Sequence, residues 1–414
     1  MLHRFQHEKG WLFQFRKEIL RYTFLSITAV LFAVIFFTAN SYSKEIFDEK
    51  TPIVISDDFS LSSTDLENDT DQIFVGFLPS WSIAQKAQVH PEYLDQIIYF
   101  GLGISDSGEL MKFNKDNIAL VEWTYFLSDS FSELKAEAKK TDTKILIAIK
   151  NFDNESIDTL ISSESNRKRA IYNITTLVNE YQLDGVNIDF EYFTRSDFPT
   201  MKYYNLFLTD LSLELKKQNP HAILSVDINA SAVYQDNAYD IVKIGDVVDH
   251  IIVMGYDYHV PSSSYAGPVS PINADGDEPN LTKTIESLKG RIDPKKVILV
   301  LPLYGYEWQT YTKDEGSRVI PQTGALASYK RVRELIAARE DLSISYDKLS
   351  QSPRIVYTQN GLIKQIYYDD EKSLATKFQF ISEHELGGMG LWALGYEGNY
   401  IEPWKLIKDI RTTK

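Results

Sequence analysis

From residue 72 onward, short apolar runs alternate with longer stretches whose apolar residues recur at helical spacing. The short runs are Ile73 to Leu78, Gln96 to Leu102, Lys144 to Lys150, Gly185 to Glu191, Ala222 to Ile228, His250 to Tyr256, Lys296 to Leu303 and Gly388 to Ala393. Between them, Asn117 to Lys140, Asn166 to Tyr181 and Met201 to Gln218 carry the helical pattern. Strands alternating with helices predict an α/β fold, and eight such repeats predict a (β/α)8 TIM barrel rather than a doubly wound open sheet. The gap between the seventh and eighth runs is too long for one crossover. Residues 306–370 are therefore expected to form a small α+β insertion. Ser328 to Arg339 reads as a helix within it. Arg354 to Gln359, the pair Asn360-Gly361, and Leu362 to Tyr368 read as a hairpin with a tight turn. Glu371 to Leu386 supplies the helix before the last strand.

The pattern before residue 72 is different. Tyr22 to Ala39 holds no charge and is just long enough to cross a hydrocarbon layer. A stretch apolar on every side does not suit a helix with one face on a core. Arg4, Lys9, Arg16, Lys17 and Arg21 in the basic leader (1–21) place that end in the cytoplasm. Residues 22–42 are thus expected to be a transmembrane signal-anchor. A signal peptide cleaved near Ala39-Asn40-Ser41 is the other reading. Residues 43–71 are rich in Asp, Glu, Ser and Thr and read as an acidic flexible linker. The barrel, 72–414, would then be membrane-anchored and extracytoplasmic, or secreted if the signal is cleaved.

Charge and composition narrow the chemistry. A formal net charge of -15 disfavours nucleic acid as a partner, but a neutral polymer would not be repelled. The chain has no cysteine, its 7 histidines show no metal-ligand spacing, and no glycine-rich phosphate loop is present. The 25 tyrosines, 22 phenylalanines and 6 tryptophans are enough to fill a large core and also to line a sugar cleft.

The fourth run, Asp184-Gly185-Val186-Asn187-Ile188-Asp189-Phe190-Glu191, carries the strongest chemical signal. Side chains alternate across a strand, so Val186, Ile188 and Phe190 share one face and Asn187, Asp189 and Glu191 the other. In a barrel the polar set points inward and climbs toward the C-terminal mouth, where barrel enzymes keep their active sites. Three inward polar groups are costly to bury without a task. Asp184 lies off this ladder and is expected to support the start of the strand.

These residues resemble the signature of glycoside hydrolase family 18, Asp-Gly-x-Asp-x-Asp-x-Glu, which is found in chitinases and N-acetylglucosaminidases, and the Asn form resembles its spore-cortex branch. Met254-Gly255-Tyr256-Asp257 is similar to the family's Met-x-Tyr-Asp, Ala266-Gly267-Pro268 to the loop that follows it, and Trp392 to the tryptophan that floors its sugar pocket. The resemblance implies a glycosidase for β-linked N-acetylglucosamine polymers, chitin-like or peptidoglycan, from a bacterial source. It implies retaining catalysis assisted by the substrate's acetamido group, without metal or other cofactor. Glu191 would be general acid and base, Asp189 would orient the acetamido group, and Tyr256 would donate to its oxygen. Asn187, Asp257 and Trp392 would bind the sugar. The partners implied are the polysaccharide and, through the N-terminal helix, a membrane, with the chain acting as a monomer.

Two departures stand out. Asn187 replaces the family's middle aspartate and cannot share a proton with Asp189 as a carboxylate can. At the end of the third strand, Ala148-Ile149-Lys150-Asn151 replaces Ser-x-Gly-Gly, so the serine that supports the inner aspartate is missing, and Asn187 is expected to remove the need for it. Lys150 and Asn151 are expected to line the cleft. The competing function is a non-catalytic, lectin-like barrel that binds glycans.

Overall fold

The computed structural model describes residues 72–85, 88–192, 199–233 and 239–412. The transmembrane segment, basic leader and linker expected before residue 72 lie outside the described residues, among which no helix is long and apolar enough to cross a membrane. The strands are β1 (Ile73–Pro79), β2 (Gln96–Ile104), β3 (Leu110–Met111), β4 (Lys144–Asn151), β5 (Gly185–Phe190), β6 (Ile223–Asn229), β7 (His250–Met254), β8 (Val297–Pro302), β9 (Tyr304–Thr310), β10 (Ala325–Ser328), β11 (Ser343–Asp347), β12 (Ser352–Gln359), β13 (Leu362–Tyr367) and β14 (Gly388–Trp392).

Eight of them, β1, β2, β4, β5, β6, β7, β8 and β14, pair in parallel, and the β1–β2 and β1–β14 ladders close the ring. Closure leaves no parallel edge exposed, which is how a barrel solves the edge-strand problem. The short β3 folds back antiparallel on the end of β2.

Strand alternation divides the core into two layers. Val186, Ile188 and Phe190 face outward into the large cluster under the helices. There Phe190 stacks on Phe207 of the Thr200–Gln218 helix at 5.6 Å. Burying such a side chain contributes roughly 1.5–3 kcal/mol. The second layer lies inside the barrel and includes Val75, Phe77, Ile98, Leu146, Ile252, Ile298 and Val300.

Most helices start where the sequence supplies a cap. Ser128, Asp153, Ser163, Asp240, Asn280, Ser328 and Asp370 each accept a hydrogen bond from a backbone N–H in the first turn. Capping also corrects one expectation. The helix read from Asn117 to Lys140 is two helices, Val121–Phe126 and Asp129–Lys140. Ser128 caps the second. The chain before the first turns at Asn117, which has a φ of 58°, while Asn114 Oδ1 accepts from the N–H groups of Asp116 and Ile118.

Between β8 and β14 lies an antiparallel sheet in the order β10-β9-β13-β12-β11. Gln359 pairs with Leu362 across the Asn360-Gly361 turn, whose φ values of 52° and 77° are those of a type I′ hairpin. A short link follows β13 to the Glu371–Glu383 helix, and there Lys377 and Asp369 form an ion pair shut off from solvent. Leu303 alone separates β8 from β9, so the small sheet rises directly from the barrel's mouth.

Candidate active site

The inward face of β5 presents the ladder that the sequence predicts. Asn187 and Asp189 are buried inside the barrel, and Glu191 follows just past the strand's end. Glu191 N–H donates to Asn151 O at 3.1 Å, which ties the backbone at the mouth to β4. Asp184 sits at the opposite end, where its Oδ2 accepts from Ile145 N–H at 2.8 Å. It supports the strand's start and stands away from the ladder.

Around Glu191 the medium disfavours charge. Burial, and after it the negative charge of Asp257, push its carboxyl up to about 7. Such a group is half protonated near neutrality, as a general acid needs to be. Asp189 is raised well above the ordinary aspartate range by burial, then by Asp227 and Glu191, with Lys150 opposing. Asp257 is also raised by burial, against two hydrogen bonds that favour its charge. Tyr304 Oη donates to Asp257 Oδ1 at 2.5 Å and Tyr306 Oη at 2.9 Å. Both tyrosines lie on β9, so the small sheet forms part of the site. Asp257 holds a φ of 61°, left-handed backbone that is uncommon outside glycine and concentrates at functional sites.

Tyr256 is partly buried against the inner clusters, and burial of its hydroxyl followed by the charge of Asp227 holds that group protonated far above neutrality. It is a fixed donor. Its ring stacks 6.4 Å from Trp392 at 25°. Trp392 also meets Phe100 edge-on at 4.8 Å, Phe77 at 5.7 Å and Trp81 at 6.4 Å. These rings make an apolar floor beside the carboxylates, which suits the C–H face of a pyranose. Ala266 of the Ala266-Gly267-Pro268 loop packs into the cluster that includes Tyr304, Tyr306 and the edges of Tyr256 and Trp392.

Three results differ from the sequence reading. Lys150 does face the site, 4.7 Å above the Phe100 ring and 3.3 Å from Glu122, but Asn151 does not line the cleft. Alternation turns Asn151 outward, where its Nδ2 donates to Ile104 O and Ser156 Oγ. Asn187 also has a serine partner that the sequence reading lacks, and it comes from the strand opposite the third. Ala148 lies beside Asn187 on β4, while on the other side Asn187 Nδ2 donates to Ser225 Oγ at 3.0 Å. Thirdly, the same nitrogen donates to Asp227 Oδ1 at 2.7 Å, a buried carboxylate that the motif does not contain. A signal for it was present: Leu224, Val226 and Ile228 alternate with Ser225 and Asp227, as on β5. Among the described residues, no cluster of His, Cys, Asp or Glu could hold a metal ion.

The family model "Glycosyl hydrolases family 18" matches residues 73–397. The chain belongs to that family. Among curated relatives, the cortical fragment-lytic enzyme of Bacillus subtilis is 25% identical over 67% of this chain and 62% of its own length. The uncharacterized glycosylase YvbX of the same organism is 27% identical over 66% of this chain and 76% of its own. In three of four curated relatives the matched part is under two thirds of the relative's length. Among solved structures, the Ostrinia furnacalis Group IV chitinase superposes with a TM-score of 0.69 at 20% identity, over 83% of this chain and 98% of that one. The Bacillus megaterium spore cortex-lytic enzyme SleL gives 0.64 at 22%, over 83% and 75%. At these identities the likeness establishes the fold, one shared with a chitinase and with a spore cortex-lytic enzyme.

Proposed function

We propose that this chain is a retaining glycosidase that cleaves β-linked N-acetylglucosamine polymers with help from the substrate's own acetamido group. The observation that carries the reading is Glu191: a carboxyl at the barrel mouth, held at about 7 by burial and by Asp257, beside an aromatic floor. Substrate-assisted members of family 18 use one such acid and no carboxylate nucleophile. The acetamido carbonyl oxygen attacks the anomeric carbon and forms an oxazolinium ion as the glycosidic bond breaks. Glu191 passes its proton to the leaving oxygen, then takes one from the water that opens the ring. Asp189 accepts from the acetamido N–H, and Tyr256 donates to the acetamido oxygen. Asn187, which the resemblance implies as a sugar contact, is fully buried with its amide nitrogen on Ser225 and Asp227 and is proposed to anchor the ladder instead, while Asp257 holds the sugar and Trp392 floors the pocket.

The substrate class follows from placement. An apolar segment at 22–42 with a basic leader would hold residues 72–414 outside the cytoplasm beside the cell's own envelope, which favours peptidoglycan over dispersed chitin. A relative named as a cortical fragment-lytic enzyme supports the same choice. The barrel is proposed to act as a monomer.

The test is digestion of peptidoglycan and of chitohexaose by the full chain, with products read by mass spectrometry. Wild type should cleave at least one and Glu191→Gln neither. Glycan binding without turnover, unchanged in Glu191→Gln, would replace this reading with a lectin-like one.

A further inference from the structure

The mouth of the barrel holds one more carboxylate than the signature supplies, and it stands in a telling place. The β5–β6 ladder pairs Asn187 with Ser225 and Ile188 with Val226, so the next inward pair is Asp189 beside Asp227. Adjacent strands lie about 4.8 Å apart, which sets the two carboxyls side by side. On the β4 side, Ala148 offers Asn187 no polar partner, and the amide turns toward β6.

We propose that Asp227 is a positioning residue: held by the Asn187 amide, it supplies from β6 the second carboxylate that the family signature places at position 187, and it shares one proton with Asp189 across the strand pair. The inference rests on the hydrolase reading above and deepens it.

The pair is asymmetric. Two carboxyls buried to 2% and 3% exposure cannot both carry charge. Asn187 Nδ2 donates to Asp227 and favours its charged form, although burial outweighs that hydrogen bond and raises Asp227. Among the described residues Asp189 Oδ1 meets no donor, and the Coulomb effects of Asp227 and Glu191 add to its burial. The proton therefore rests on Asp189 in the free enzyme. Asn187 Oδ1 is likewise a buried acceptor without a donor among the described residues, and a carboxylic O–H in the pair is a donor that such an atom requires. The other groups facing the pair are Lys150 from β4, Glu191 from the end of β5, Ser225 on β6, Tyr256 beyond β7, Tyr204 from the Thr200–Gln218 helix, and Tyr239. Lys150 is the cation among them. Asp257 acts on Glu191 in turn.

The step balances without any further reactant. When the acetamido N–H reaches Asp189, the Asp189 O–H bond breaks and an O–H bond forms on Asp227. Asp189 becomes the anion that accepts the N–H and faces the oxazolinium cation, while Asp227 becomes neutral. The pair keeps a charge of minus one throughout, and Glu191 keeps its own proton for the leaving oxygen. The transfer reverses as product departs.

The experiment compares full-length wild type with Asp227→Asn, Asn187→Asp and the exchange Asn187→Asp/Asp227→Asn. It has two readouts: carbon-13 titration of the aspartate carboxyls, and kcat and KM on the cleaved glycan. In wild type, Asp189 should stay protonated above the ordinary aspartate range, and in Asp227→Asn its titration should move to lower pH by about one pH unit or more. That variant should lose kcat by at least about tenfold with KM within about twofold. The exchange, which returns the carboxylate to β5, should restore both the high titration and most of kcat. An unchanged Asp189 titration in Asp227→Asn, or an exchange variant as impaired as the single one, overturns the proposal. The titration decides even if no glycan is cleaved, a result that would instead overturn the hydrolase reading. If Asp227→Asn fails to fold, by circular dichroism, the exchange variant alone decides.

Discussion

Replacing Glu191 by Gln should abolish turnover and, at alkaline pH, make the protein more stable. The carboxyl rises from its ordinary 4.5 to about 7 in the folded chain. Each tenfold in proton affinity is about 1.4 kcal/mol, so the folded state penalises the ionised form by about 3 kcal/mol. The sign follows from proton counts. Between pH 4.5 and 7 the folded state binds more protons at this site than the unfolded chain does. Stability therefore falls as pH rises through that window, and below it the site adds no penalty. Glutamine has the same shape and no charge, so it removes the penalty. The expected gain for Glu191→Gln is about 3 kcal/mol at pH 8, shrinking to near zero at pH 4.5. The charges of Asp189 and Asp227 are felt by the same cluster, and the loss of Glu191 relaxes them in the same direction. The assay is urea unfolding of both proteins at several pH values, with midpoints converted by a common slope. A stability difference that does not change between pH 4.5 and pH 8 would refute the argument, because it would mean that the ionised carboxylate is not disfavoured where it sits.

Asp257→Asn removes a negative neighbour of Glu191, so the alkaline limb of kcat/KM should move to lower pH, readable in a full pH–rate profile. Tyr256→Phe deletes a fixed donor and should cost about 100-fold in kcat with little change in KM, by steady-state kinetics on the cleaved glycan. Lys377→Met leaves Asp369 buried without its cation and should cost about 3–5 kcal/mol, whereas Lys377→Met with Asp369→Leu should recover most of it in denaturant melts. Gly361→Ala forces a side chain onto a φ of 77° and should destabilise by about 1 kcal/mol, measured the same way.

Periodicity made the barrel legible, because each strand reports its two faces through its own alternation. Val186, Ile188 and Phe190 against Asn187, Asp189 and Glu191 is such a case, and the structure turns the first set to the helices and the second inward. The supports of that ladder were harder to read. Ser225 and Asp227 act on Asn187 sideways, across a strand pair, and a motif read along one strand contains no term for its neighbour. Register between parallel strands depends on crossover packing, so it is a property of the assembled barrel. Asn151 follows Lys150 in the chain yet stands away from the cleft, because one step along a strand reverses the side on which a residue stands. The Asn117 to Lys140 helix failed where a local serine cap outweighed the apolar period.

The small sheet between β8 and β14 has the outline of an appendage that protein engineers trim to obtain a minimal barrel. Its first strand argues against such surgery. With Leu303 alone between it and β8, β9 brings Tyr304 and Tyr306 onto one oxygen of Asp257, the group whose charge helps raise Glu191. Cutting the sheet away would leave the eight-stranded ring closed and every signature residue in place. It would also strip Asp257 of two hydroxyl donors. Modularity here stops short of the site: the piece most easily excised on a topology diagram is wired, through Asp257, to the carboxyl of Glu191.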